Sequence, residues 1–450
     1  MKAALKSYDY GAVSGIQKFS PPNQAGNSRW ICAQLGAREH YAIPRALQRS
    51  GQLEALFTEI WAGPVLRRLA FGPLRAMAGR YHEELEVGGW KLEDRLEKAN
   101  SEQRTAKVVS WNWQTIGRAL VTKNGKRKAE SGDLYARYIR EGKWFSARVR
   151  DYLARRGTSM RGKIVFSYDT TALELFAWAK ERGAICVLGQ MDPGRFEADL
   201  VRAEESAWPG WAARDGVVPE AYYQRREAEW RLADRIVVNS RWSLDALVQQ
   251  GVPAEKLVVI PLCFEERHQE PAVRNQEPVV KPLKILFLGQ VILRKGIQYL
   301  VEAAKSLETA PVHFDVVGPV GISEAAMKSA PANVTFHGRT ERNEVGKWFE
   351  RSHVFVLPTI SDGFAITQIE AMAHGLPVIA TPNCGEVVTN GVDGFIVPPR
   401  DANSLAEVVR RYLKESGLLE SHRQACREKA RQFTVAKLSE KLMALEKTYQ

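Results

Sequence analysis

No stretch of this 450-residue chain reaches the roughly 20 consecutive apolar residues that a membrane-spanning helix needs. The opening MKAALKSYDYGAVSGIQKFSPPNQAGNS has no apolar core of a signal peptide, so residence in the cytoplasm is expected. Cysteine is scarce. Cys32, Cys186, Cys263, Cys384 and Cys426 are odd in number, far apart and without a C-x-x-C, which argues against a disulfide framework and a thiolate zinc site and predicts reduced, buried thiols. No G-x-x-x-x-G-K-[ST] loop occurs, so the chain carries no P-loop signature. Repeats with a period of 20–50 residues are missing too, which excludes a solenoid or propeller.

Against these absences stands an ordinary soluble composition, 45% hydrophobic and 26% charged, in a chain long enough for two or three domains. The net charge of +12 is unevenly spread: residues 101–163 hold 16 Lys+Arg against 5 Asp+Glu, whereas residues 281–450 hold 21 against 18. Such a basic stretch suits an anionic partner, either a phospholipid surface or a diphosphate-bearing lipid or acidic saccharide, or else is a solvated face. No nucleic-acid-binding module accompanies it. With the apolar and basic RRLAFGPLRAMAGRYH, residues 64–163 are expected to meet an anionic membrane, peripherally and from the cytoplasmic side. Trp111, Trp113 and Trp144 beside this stretch could meet lipid or sugar rings, or simply pack.

Along the chain, short β-branched runs alternate with helical patterns. RWICAQLGA, GKIVFSYDT, AICVLGQ and IVVNS read as strands, HYAIPRALQRSG and TALELFAWAKERG as helices. The alternation restarts at LKILFLG and continues through HFDVVG, NVTFHG, HVFVLP, PVIAT and GFIVP. This predicts an α/β fold of two doubly wound parallel-sheet domains facing each other across a cleft. The expected division is an irregular tail at 1–27, a first domain at 28–270, a linker at 271–282, a second domain at 283–430, and a last helix at 431–450 that returns to the first domain.

The richest chemistry lies in HVFVLPTISDGFAITQIEAMAHGLPVIAT. A helix starting after Gly363 would aim the backbone N–H groups of Ala365, Ile366 and Thr367 at a phosphate. Asp362 could then hold sugar hydroxyls and Glu370, about two turns on, a ribose; the plain alternative is a capping Asp and a surface Glu. In ILFLGQVILRKGIQYL, Gly289 and Gln290 end a buried strand, and Arg294 and Lys295 precede the next helix, where adjacent cations suit a diphosphate.

These residues resemble the family 4 glycosyltransferases of the GT-B fold, well over residues 230–412 and more loosely over 28–229. The resemblance rests on ADRIVVNSRWSLDAL, EKLVVIPLCF, the RKG loop, NVTFHGR, the acid-x7-acid pair, GLPVIAT and GVDGFIVPPRD, in that order. It implies a retaining, metal-independent sugar transfer from a nucleotide diphosphate donor, UDP- or GDP-linked, to a saccharide or lipid-linked acceptor in surface polysaccharide or glycolipid synthesis. No cofactor is implied beyond that co-substrate. Asp362 would face the transferred sugar and Glu370 the ribose. Gly363, Phe364, Ala365 and Ile366 would form the loop at sugar and phosphate, Lys295 would meet the diphosphate, Gly338 the base, and Gly36 the phosphate from the first domain. The missing D-x-D agrees with protein cations in place of a metal.

The chain departs from the family pattern in four places: Asp362 stands for the commoner Glu, Gln290 for an arginine, Gly36-Ala37 for a double glycine, and the first-domain histidine has no clear counterpart. His40 and His374 are the nearest histidines, each read first as structural. His40, Tyr168, Asp169 and Asp192 are the acceptor-side candidates. The alternatives are a nucleotide-sugar epimerase of the same architecture and a non-catalytic nucleotide-sugar or saccharide binder.

Overall fold

The computed structural model describes residues 29–61, 85, 107–111, 131–213, 217–264 and 282–449. The tail at 1–27, Trp113, RRLAFGPLRAMAGRYH and all but the last residue of the linker lie outside them.

The first domain opens with β1 (Arg29–Gln34), α1 (Ala42–Arg49), β2 (Leu53–Thr58), β3 (Lys107–Ser110), α2 (Ser131–Arg155), β4 (Lys163–Tyr168) and α3 (Leu173–Lys180). It continues with β5 (Ile185–Gly189), α4 (Arg195–Ala207), α5 (Glu220–Leu232), β6 (Arg235–Val238), α6 (Arg241–Gln249) and β7 (Leu257–Val259). The second domain begins with β8 (Leu283–Leu288), α7 (Ile297–Lys305), β9 (Val312–Val317), α8 (Glu324–Lys328), β10 (Val334–Gly338) and α9 (Val345–Arg351). After these come β11 (Val354–Leu357), α10 (Ile366–Ala373), β12 (Val378–Ala380), β13 (Gly394–Ile396), α11 (Ala402–Lys414), α12 (Leu418–Ala430) and α13 (Val435–Lys447).

The strands form a seven-stranded sheet ordered β3-β2-β1-β4-β5-β6-β7 and a six-stranded sheet ordered β10-β9-β8-β11-β12-β13. Every named pairing is parallel. The strands are almost continuously apolar because helices cover both faces. On one face of the first sheet Phe145, Val149 and Leu153 of α2 pack with Phe176 and Trp230. On the other, Ala46 and Leu47 of α1 meet Leu438, Leu442 and Leu445 of α13. The last helix is tied there by the Trp30 indole N–H, which donates to the Glu446 carboxylate at 3.0 Å, and by the Ser439 hydroxyl, which donates to the Ala46 carbonyl at 2.9 Å.

LEALFT, although rich in the helix formers Glu, Ala and Leu, is β2, held between β1 and β3 where burial outweighs intrinsic propensity. Within the basic stretch, residues 131–155 form one long helix, α2. Trp111 is in the core, against Phe57 at 6.2 Å and Phe145 at 6.2 Å, with Trp144 edge-on at 6.5 Å, so these two rings serve packing. All five cysteines are buried and unpaired by disulfides. Among the described residues no helix is long and apolar enough to cross a membrane.

The domains meet through α4. Its buried Glu204 accepts hydrogen bonds from Gln298 Nε2 at 2.8 Å and the Tyr299 hydroxyl at 2.9 Å and pairs with Arg400, all second-domain residues. Beyond the helix, Ala212 bridges Ile322 and the Ser323 N–H donates to the Trp211 carbonyl at 2.7 Å.

Candidate active site

Parallel sheets gather their loops at the carboxyl ends of the strands, and here the segments after β8 and β11 meet those after β5 and β6. Beyond β8 come Gly289 and the exposed Gln290, then a 3-10 turn at Leu293–Lys295. Gly296 ends that turn with φ 75°, and a Cβ there would fall 1.8 Å from the Pro358 carbonyl oxygen. Only glycine allows both the left-handed backbone and that approach. The β11 exit loop therefore lies directly against the turn: the Ile360 N–H and Thr359 hydroxyl both donate to the Arg294 carbonyl, at 2.8 and 3.0 Å.

This stitching brings Lys295 to Asp362, whose carboxylate takes a hydrogen bond from the ammonium. Burial pushes the Asp362 carboxyl upward, but Lys295, Arg294 and the Phe364 N–H outweigh it and hold it below the usual range. Arg294 Nη1 donates to the Ser361 carbonyl at 3.0 Å and reaches Glu197 Oε2 at 3.3 Å.

The helix starts later than its sequence suggests. Ala365 is the N-cap of α10 and its N–H donates to the Cys384 carbonyl at 3.1 Å, so it is not free for a phosphate. The first-turn amides of Ile366 and Thr367 have no intrahelical acceptor. Glu370 is consequently the fifth residue of α10, little more than one turn in rather than two. Phe364 is buried and packs on Phe433 at 6.1 Å. His374 is structural: Nδ1 meets the Glu370 carbonyl at 2.8 Å and the ring stacks on Phe349 at 4.9 Å.

The first domain closes directly over this loop. A Cβ on Gly363 would come 2.6 Å from the Met191 carbonyl and 3.1 Å from Asn239 Oδ1. The Trp242 indole N–H donates to Ser361 Oγ at 3.1 Å, and Ser361 Oγ donates to Glu197 Oε2 at 2.8 Å. Farther out, the Arg241 N–H donates to the Glu386 carboxylate at 3.0 Å.

Gly36, with φ 86°, donates its N–H to Glu59 Oε2 at 2.7 Å rather than leaving it for a phosphate. After it Glu39, His40 and Tyr41 form a left-handed run, φ 49°, 52° and 60°, a costly backbone for non-glycine residues. The His40 ring contacts Arg342 across the cleft. Burial pushes the Glu39 carboxyl up to about 7, against the pull of Arg38 and a hydrogen bond from Tyr168. Tyr168 is itself buried, with the Arg38 guanidinium 5.4 Å above its ring.

Asp169 and Asp192 share Arg226, whose Nη2 lies 2.9 Å from one carboxylate and 2.7 Å from the other. Gln190 Nε2 donates to Asp169 at 3.2 Å and is steadied by Trp230. Burial raises Asp169 above the usual carboxylate range despite Arg226. Burial also acts on Asp192, but there Arg226 and the Gly194 N–H prevail and lower it. Asp192 keeps 39% of its side chain exposed, Asp169 only 4%, so Asp192 is the one open to a ligand.

At the second domain's far edge, Gly338 turns with φ 69° beside His337, which meets Asp315 at 2.6 Å and lies 4.4 Å from the Trp348 ring. The structure thus gathers Arg294, Lys295, Asp362 and Gly363 into one cluster under the first domain, whereas Tyr168 and Asp169 lie buried in the first domain's wall. Sequence reasoning missed Glu197, Ser361, Trp242, Arg226 and Glu39. Of these only Ser361 had a local signal, its place beside Asp362.

Residues 282–415 match the family described as Glycosyl transferases group 1. Over 181 residues the chain is 28% identical to the amylovoran biosynthesis glycosyltransferase AmsK of Erwinia amylovora, covering 37% of this chain and 44% of that protein. Among the first curated relatives, the matched region spans between 44% and 56% of the relative's length. The fold is that of sucrose-phosphate synthase from Thermosynechococcus elongatus, with TM-score 0.58, 16% identity and coverage of 93% of this chain and 98% of that one. It is also that of HepE from Anabaena, solved in complex with UDP and glucose, with TM-score 0.50, 14% identity and coverage of 93% and 100%. The chain has the GT-B fold, two Rossmann-like parallel-sheet domains.

Proposed function

We propose that this protein is a retaining glycosyltransferase that moves a sugar from a nucleotide diphosphate donor to an acceptor hydroxyl in surface polysaccharide or glycolipid synthesis. The observation that carries this reading is the cation pair Arg294 and Lys295. It is stitched to the loop bearing Asp362 and lies inside the segment matched to group 1 glycosyl transferases. A UDP and glucose complex of the same fold and a polysaccharide-synthesis relative support the donor class and the setting.

In the proposed reaction the bond between the anomeric carbon and the diphosphate oxygen breaks, and the acceptor oxygen forms its bond on the same face. The acceptor's proton passes to the departing diphosphate. Negative charge gathers on that diphosphate, where Lys295, Arg294 and the amides of Ile366 and Thr367 act as fixed electrostatics in place of a metal ion. Asp362, ionised by its cations, takes sugar hydroxyls, Glu370 takes the ribose, and Gly338 lies at the base. Among the first-domain residues Asp192 orients the acceptor, with His40 at the rim and Asp169 and Tyr168 behind.

The exposed Arg137, Arg140 and Lys143 of α2, beside the exposed Leu134 and Tyr138, support a peripheral anionic membrane contact. Salt-dependent sedimentation with anionic vesicles is the expected result, and its absence removes that contact.

The deciding experiment measures diphosphate release over a panel of UDP- and GDP-sugars, with and without a crude glycan and lipid extract, and reads the product anomer by NMR. Acceptor-dependent release with retained configuration, unchanged by EDTA, is expected. An inverted product rejects retention. Donor conversion without release identifies an epimerase, and binding without turnover a non-catalytic binder.

A further inference from the structure

We infer that Glu197 is a positioning residue that competes with the diphosphate for Arg294 and so promotes release of the nucleoside diphosphate product; this rests on the donor-side reading above. Glu197 is in the first turn of α4, on the acceptor-side domain, and its side chain is 16% exposed. One oxygen, Oε2, accepts from both Arg294 Nη1 at 3.3 Å and Ser361 Oγ at 2.8 Å. The first domain thereby grips the cation and the residue next to Asp362 at a single point.

The charges around it explain why this contact bears on ligand binding. Asp362 is paired with Lys295, and Asp192 with Arg226. That leaves Glu197 and Arg294 as each other's ion-pair partners among the described residues. A diphosphate that draws on Arg294 must take it from Glu197, or lie beside an unpaired carboxylate with Asp192 and Asp362 also near. When the diphosphate departs, Glu197 resumes its place and no buried guanidinium is left uncompensated, which lowers the cost of leaving. Because the two partners belong to different domains, the same exchange ties occupancy of the diphosphate site to closure of the cleft.

Burial pushes the Glu197 carboxyl above its ordinary range, with Asp192 and Asp362 adding to the shift and Arg294 and Ser361 opposing it. Tyr135 of α2 is a further titratable neighbour. As pH falls through that raised value the carboxyl becomes neutral and the competition lapses.

The test is calorimetric titration of the full chain with UDP, GDP and inorganic pyrophosphate. It compares the wild type, Glu197→Gln and Lys295→Ala at one alkaline and one acidic pH, since protonation of the carboxyl is favoured as pH falls. The glutamine variant should bind roughly three- to tenfold tighter than wild type at the higher pH, with the gap closing at the lower one. The diphosphate's own protonation is common to both proteins and cancels in the comparison. Steady-state transfer should show kcat and KM falling together, whereas loss of a merely structural contact would raise KM. Equal or weaker binding by Glu197→Gln, with Lys295→Ala weakened as expected, overturns the inference and leaves the donor site standing. Undiminished binding by Lys295→Ala overturns the donor site itself, and the inference with it.

Discussion

The two walls of the cleft use charge in opposite ways. In the first domain Arg226 is wedged between Asp169 and Asp192, and Arg225 grips Glu174 through two bonds of 2.9 and 2.7 Å. The fully buried Glu229 takes the N–H groups of Thr170, Ala172 and Leu173, at 2.6, 3.0 and 3.1 Å, and so holds the start of α3. These charges offset one another and fix the strand-end loops, with Asp192 alone of the Arg226 pair keeping an exposed edge. In the second domain Lys295 has one carboxylate, from the β11 exit loop of the same domain, and Arg294 has one lent by the facing domain. A closed network shapes a wall, while a pair with a replaceable partner can receive a ligand.

Removing a cation from the closed network should therefore cost folding stability most. Arg226→Ala leaves the buried Asp169 and the partly exposed Asp192 without their shared cation, and a loss of about 3–5 kcal/mol is expected by thermal or denaturant unfolding. A variant as stable as wild type would break the contrast, because Arg226 would then be as replaceable as Lys295.

Lys295→Ala comes next, and its effect should fall on turnover. Removing one preorganised electrostatic group is expected to slow transfer by about 10²–10³-fold with little change in melting temperature. If the melting temperature drops instead and the rate survives, the second wall is structural like the first.

The same contrast explains what the sequence disclosed. Asp362, Lys295 and Gly363 are legible because their loops are short, contiguous and flanked by strong strand patterns. That Asp362 and Lys295 pair was not legible, since it depends on Gly296 lying under Pro358. The start of α10 was misplaced because Ala365 spends its N–H on Cys384, a contact made by a loop 19 residues downstream. Glu197 lies in RFEADLVRAEESA, which reads as a surface helix, and its burial is created by the other domain. Arg226 and Glu229 in EAYYQRREAEWRL carry no apolar periodicity that would mark them as interior, yet both are buried.

A third variant probes the join between the walls. Gly363→Ala would push a methyl group against the Met191 carbonyl, a fixed backbone atom. About 1–3 kcal/mol of strain is expected, relieved by opening the cleft rather than by unfolding either domain. Small-angle scattering should show a larger radius of gyration, and transfer should slow while the melting temperature holds. A larger radius of gyration with an unchanged rate would mean that closure over the loop is unnecessary for transfer.

The smallest effect should come from Gln290→Arg, which restores the arginine that the family resemblance places after the strand glycine. Gln290 is exposed at the carboxyl end of β8, so the substitution disturbs no packing and leaves stability unchanged. A guanidinium there would be solvated and partly screened, adding a charge-assisted contact worth only about two- to fivefold in diphosphate affinity. The increment should shrink as salt is raised, as expected for an exposed charge. Its dependence on Glu197 sharpens the comparison further. Unlike Arg294, the new arginine would have no carboxylate lent from the opposite wall, so it should slow product release in proportion to the affinity gained. An affinity gain without slower release would show that escape of the diphosphate is not governed by its cations.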